Sequence, residues 1–110
     1  MDIIVTVPKK EYANVSKEDS FAKGKEAVQF WSVPKKPKNL NVGDRVYFVE
    51  RGCIRYWHEF LGFDYDSVCE ATDRVWAGLN LVIKYPETKL TNPIPMKGFQ
   101  GFRYMKKRID

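Results

Sequence analysis

From Val75 to Tyr85 the chain alternates without a break. Val75, Ala77, Leu79, Leu81, Ile83 and Tyr85 share one side, and Trp76, Gly78, Asn80, Val82 and Lys84 the other. A period of two over this length is the pattern of a half-buried β-strand, since successive side chains point to opposite faces. A strand cannot satisfy its own backbone groups, so a chain with this segment must be organised around a sheet.

The rest of the sequence supplies partners for it. Arg45–Glu50 reads as a strand with Val46 and Phe48 on one face, and Arg51-Gly52 as a tight turn. Cys53–Phe63 is the return strand, with Ile54, Tyr56, His58 and Phe60 on one side. Ile3–Val7, closed by Pro8, and Ala27–Val33, stopped by Pro34, are further β-rich runs, followed later by Tyr65–Thr72 and Phe102–Lys107. Asn41–Asp44 is a turn, Asn92-Pro93-Ile94-Pro95 an irregular link and Met96–Gly101 a glycine-containing loop. Ser16 with Asp19 three residues on resembles a helix N-cap, which predicts a short helix ending near Gly24. The sum is an α+β, strand-dominated fold, a curled or closed sheet with one or two short helices.

At 110 residues, 44% of them hydrophobic, the chain has the size of one domain spanning 1–110 with a single core. No apolar run approaches the roughly 20 residues that cross a bilayer, so no membrane partner is expected. Met1–Val7 has neither a basic n-region nor a long apolar stretch and reads as a first strand, which makes the cytoplasm the expected location.

Hydrolytic, redox and metal chemistry find little support. Cys53 and Cys69 form no C-x-x-C motif and are expected to be free thiols. The single histidine, His58, has no second histidine to complete a metal set, and its odd separation from Cys53 puts the two on opposite faces of one strand. Gly98-Phe99-Gln100-Gly101 follows no βα unit and is not a phosphate loop. No catalytic residue, metal or cofactor is therefore assigned.

Charge and aromatic residues say more. Nineteen Lys and Arg against 14 Asp and Glu leave +5. Lys35, Lys36 and Lys38 form one cluster and Lys106-Lys107-Arg108 another. Trp31, Trp57 and Trp76 are spread over three predicted strands, and Phe30-Trp31-Ser32 leads directly into the first lysine cluster. Indole faces beside cations suit a nucleobase with its phosphates, although tryptophans also serve as core.

The order Val28–Pro34, then Leu40-Asn41-Val42-Gly43-Asp44-Arg45-Val46-Tyr47-Phe48, a glycine turn and Cys53–Phe60 resembles the PUA-like superfamily, in particular its EVE, YTH and ASCH branches. The resemblance covers residues 26 to 63. The closing Pro95–Tyr104 is similar to the ends of small phage or bacterial members. It implies a PUA-like pseudo-barrel of about five or six strands with one or two short helices, binding RNA or DNA, with a flipped or modified base held in an aromatic pocket. On that resemblance Trp31 stacks the base and Ser32 hydrogen-bonds its edge. Lys35, Lys36, Lys38 and Arg45 are the expected phosphate contacts, and Trp57 and Trp76 are further cage candidates by residue type. The Gly-x-Lys-x-x-Glu-x-Arg run of the ASCH branch is absent: Gly24-Lys25-Glu26 has another spacing. The alternatives are a hydrolase acting on a modified nucleoside, with Lys25 and Glu26 or Glu59 as acid–base groups, and a phage protein that binds a host protein.

Overall fold

The computed structural model describes residues 1–11, 27–69, 74–85 and 87–108. Seven strands form a mixed sheet: β1 (Asp2–Thr6), β2 (Ala27–Ser32), β3 (Arg45–Glu50), β4 (Cys53–Cys69), β5 (Arg74–Tyr85), β6 (Thr88–Pro95) and β7 (Phe102–Met105). Their order is β2-β5-β4-β3-β1-β7, with β6 alongside β4, and the sheet does not close on itself. The fold is thus mostly β, with one correction to the expected five or six strands: among the described residues the strands number seven. The helical content of the described residues is one 3-10 turn, Lys9–Glu11. The helix expected between Ser16 and Gly24 lies outside the described residues.

Two differences in strand layout have local causes. The run expected at Cys53–Phe63 and the described part of the one at Tyr65–Thr72, as far as Cys69, are one long strand, β4, which bends at a bulge between Phe60 and Gly62 instead of stopping. Gly62 takes φ +149° there, a value open to glycine and strained for other residues. The segment expected as an irregular link is the second half of β6, prolines included. It pairs with β4 alone, so Pro93 and Pro95 sit on an edge where a missing N–H costs no ladder bond.

β4 organises the molecule. Its first half runs between β3 and β6, and its second half pairs with β5. The expected β3–β4 hairpin is present, joined through Arg51 (φ 53°) and Gly52 (φ 78°). Two successive positive φ values are those of a type I′ turn, whose twist matches the strands it joins.

β1 and β3 are parallel, Ile3 opposite Val46 and Val5 opposite Phe48, and both are buried on both faces. On one face Ile3, Val5, Val46 and Phe48 join Trp31, Tyr56, Phe60, Leu81 and Ile83. On the other, Ile4, Tyr47 and Val49 pack with Ile54 and Leu90. Ile54 therefore does not share a face with Tyr56 and Phe60, as simple alternation predicts. The register shifts between Ile54 and Tyr56, leaving Arg55 as the extra residue of a bulge, and its Nε donates to the Glu50 carbonyl at 2.8 Å.

The alternating segment behaves likewise. Leu81, Ile83 and Tyr85 form the expected buried row, but Val75 and Ala77 are exposed. Between them the register shifts at Asp66 (φ 51°), whose Oδ1 accepts a bond from the Gly78 amide at 2.7 Å. At the far edge β7 pairs antiparallel with β1, and Arg108 grips the Asp2 carboxylate through Nε and Nη2, both at 3.1 Å. Burial opposes ionisation of Asp2, yet the Arg108 hydrogen bonds and the Arg45 amide hold its carboxyl below the usual range.

Candidate functional site

Three segments far apart in sequence meet at one concavity of about 490 Å³. Its first wall is the end of β1 and the 3-10 turn, with Thr6, Pro8, Lys10 and Glu11. Its second is the end of β2, where Trp31 and Ser32 precede Pro34. Its third is the loop before β7, with Phe99, Gln100 and Gly101. A volume of this size lies within the range of small-molecule sites.

The walls are held by specific contacts. The Phe99 amide donates to Thr6 Oγ1 at 3.1 Å, which fixes the third wall to the first. Gly98 makes that approach possible: a Cβ built on it would lie 2.9 Å from Thr6 Cγ2. The Phe99 side chain packs against the cluster of Ile4, Tyr47 and Val49, and the Arg103 guanidinium, from the β7 position opposite Ile4, stacks over its ring at 4.3 Å from the centroid.

Trp31 is 9% exposed and belongs to the core while lining the pocket. Its ring meets Phe48 edge-on at 5.0 Å, and Phe48 stacks on Tyr56 at 5.3 Å. The indole therefore rests on a rigid aromatic floor. Ser32, the last residue of β2, is exposed beside it and lines the same concavity.

Lys35, Lys36 and Lys38 follow directly and are exposed. Lys36 Nζ lies 4.8 Å from the Phe63 ring centroid, and the Lys38 amide donates to Tyr104 Oη at 2.8 Å, tying this loop to β7. Pro34 also comes close to Gly101, 3.7 Å from where a Cβ would stand. The lysine loop thus borders the pocket.

Arg45, Trp57 and Glu59 are not brought together with Trp31. Arg45 lies over the Trp57 ring at 4.0 Å and its Nη1 donates to Tyr47 Oη at 3.2 Å. Both belong to the opposite face of the sheet, the one carrying Ile4, Tyr47 and Val49. Glu59 pairs with Arg45 across β3 and β4, and is not among the residues that line the pocket. Trp76 is on β5 opposite Ser67, its side chain outside the described residues, as are Lys25 and Glu26.

Thr6, Lys10, Glu11, Phe99 and Gln100 also line the pocket and carry almost no signal in the sequence. The one signal for them was Gly98-Phe99-Gln100-Gly101, where two glycines flank an aromatic residue in the manner of a close backbone approach.

His58 is 2% exposed and packed against Phe48, Tyr56 and Tyr85. Burial pushes its pKa down to about 4, against an opposing hydrogen bond to Lys84 and the charge of Glu87. A neutral imidazole enclosed by rings is structural. Cys53 is a free, half-buried thiol. Among the described residues no group of three His, Cys, Asp or Glu side chains is placed to hold a metal ion, and no helix is long and apolar enough to cross a membrane.

Residues 5–109 match the model of DUF1489, a family described as a protein of unknown function. No curated protein and no solved structure matches the chain.

Proposed function

We propose that this chain, which belongs to the DUF1489 family, is a nucleic-acid-binding domain that takes one unstacked base into the pocket walled by Trp31. The observation that carries the reading is the adjacency of three features along β2 and its exit: an indole at the pocket wall, a hydroxyl beside it, and a lysine loop at the rim. A flipped base needs an aromatic surface to replace its lost stacking, and its flanking phosphates need cations. Trp31 supplies the first. Lys35, Lys36 and Lys38 supply the second, and Lys10 adds charge from the first wall.

Ser32 is the polar group next to the stacking surface and offers both a donor and an acceptor to a base edge. The PUA-like resemblance of residues 26–63 points the same way, and a mostly-β mixed sheet bent around one long strand is compatible with a PUA-like pseudo-barrel. Arg45 and Trp57 have no part in this pocket. Their stacked pair on the opposite face serves packing.

The deciding experiment is to fill the pocket without touching the core. Ser32→Phe places a ring in the cavity from an exposed position. Single-stranded RNA and DNA titrated against wild type and variant should bind the first and fail on the second, with equal melting temperatures. Equal binding by a folded Ser32→Phe protein removes the pocket from the mechanism.

A further inference from the structure

We infer that Glu11 is the specificity-determining residue of the pocket, and that it selects a base whose edge presents two adjacent N–H donors, the edge of guanine. The inference rests on the base-pocket reading above and goes beyond it in naming the base.

Glu11 closes the 3-10 turn and is 8% exposed, yet it lines a cavity large enough for a ligand. A carboxylate only accepts hydrogen bonds, at about four lone-pair sites over two oxygens, so it can serve its own fold and a ligand together. A ligand edge that faces it must present donors. An anionic group is excluded by charge, which leaves phosphates to the cations at the rim and the ring to the interior.

The four bases answer this demand differently. Guanine offers N1–H and N2–H side by side, spaced for the two oxygens of one carboxylate. Adenine and cytosine each set one donor beside an acceptor nitrogen. Uracil flanks its single N–H with two carbonyls, which a carboxylate repels. The guanine O6 next to N1–H then requires a donor, and the same wall provides it. Lys10 adjoins Glu11, and Thr6 Oγ1 accepts from the Phe99 amide, so its own hydrogen remains to donate. Trp31 supplies ring surface that any base can use, so stacking alone does not discriminate.

The test uses short uridine oligomers, as RNA and as DNA, with one central position set to guanine, adenine, cytosine, hypoxanthine or N1-methylguanine. Guanine should bind about 10- to 100-fold more tightly than adenine or cytosine, the range for charge-assisted hydrogen bonds. Hypoxanthine lacks the N2 donor and should fall between them, and N1-methylguanine should lose the advantage. These comparisons use the wild-type protein, so they hold even if a Glu11 variant folds poorly. In folded Glu11→Gln the guanine preference should collapse to about threefold or less. Equal affinity for all central bases, with binding still blocked by Ser32→Phe, overturns the role of Glu11 and leaves the base pocket standing. No binding of any oligomer overturns both.

Discussion

The Nδ1 atom of His58 lies 2.9 Å from the carbonyl oxygen of Lys84. A carbonyl only accepts, so the proton of the neutral ring is on Nδ1 and the bond ties β4 to the end of β5. The ring on the other side is enclosed by Phe48, Tyr56 and Tyr85, and this enclosure is what keeps it neutral.

The first expected outcome is a pH dependence of stability. His58 has a folded pKa lowered to about 4 from an ordinary value of 6.5. Above 6.5 both states carry a neutral ring and the full stability is present. As pH falls below 6.5 the unfolded chain binds a proton that the folded one refuses, so stability declines until about pH 4. The total loss is on the order of 3 kcal/mol. Urea midpoints measured from pH 7 to 4.5 should fall for wild type and stay flat for His58→Phe. A flat wild-type profile would contradict the burial described here.

A second outcome separates the two roles of Trp31. It is largely buried against Phe48 and also lines the pocket, so Trp31→Ala should lower stability by about 3–5 kcal/mol through the cavity it leaves. It should also weaken binding by about 1–3 kcal/mol through the lost stack, measured where the variant is still folded. Trp31→Phe keeps a ring and should recover most of both. If Trp31→Phe restores stability but no binding, the indole is read specifically.

The lysine loop carries a salt signature. Each phosphate neutralised on a single strand contributes about 0.7 to the slope of log affinity against log salt. Replacing Lys35, Lys36 and Lys38 together by Ala should flatten that slope by about 2. An unchanged slope in fluorescence anisotropy titrations would leave these lysines as solvated side chains only.

Gly98 offers a steric test with a built-in rescue. Its added Cβ would meet Thr6 Cγ2 at 2.9 Å, so Gly98→Ala should displace the loop and cost about 1–3 kcal/mol. Thr6→Ser removes Cγ2 and keeps the hydroxyl that accepts from the Phe99 amide. The double variant should therefore regain stability and binding relative to Gly98→Ala alone. Additive losses in thermal melts would place the strain elsewhere.

Local signals were legible in the sequence and distant ones were not. The Arg45–Phe63 hairpin shows itself because alternation and the Arg51-Gly52 turn are neighbours in the chain. Trp31 and Ser32 were legible for the same reason, as consecutive residues entering a lysine loop. The bulges at Arg55 and at Asp66 were hidden, because one extra residue changes the face of Ile54 and ends the row at Leu79 without altering composition. β6 was missed because prolines argue against a strand unless it is known to lie on an edge. The pocket's remaining walls were out of reach: Thr6 and Phe99 are 93 residues apart, and nothing local in either announces the other.

The place of β1 in the sheet has a consequence for how the chain reaches this state. β3, β4 and β5 are joined in series and can zip up as a meander from nearby residues. β1 cannot, since its two neighbours are β3 in parallel and β7 from the opposite end of the chain. Ordering those distant segments precedes any reward from their contacts, and topologies of this kind fold in about milliseconds to seconds. Because Thr6 at the end of β1 anchors the Phe99 loop, the pocket depends on contacts between opposite ends of the chain. Any partially folded form that retains the meander lacks it.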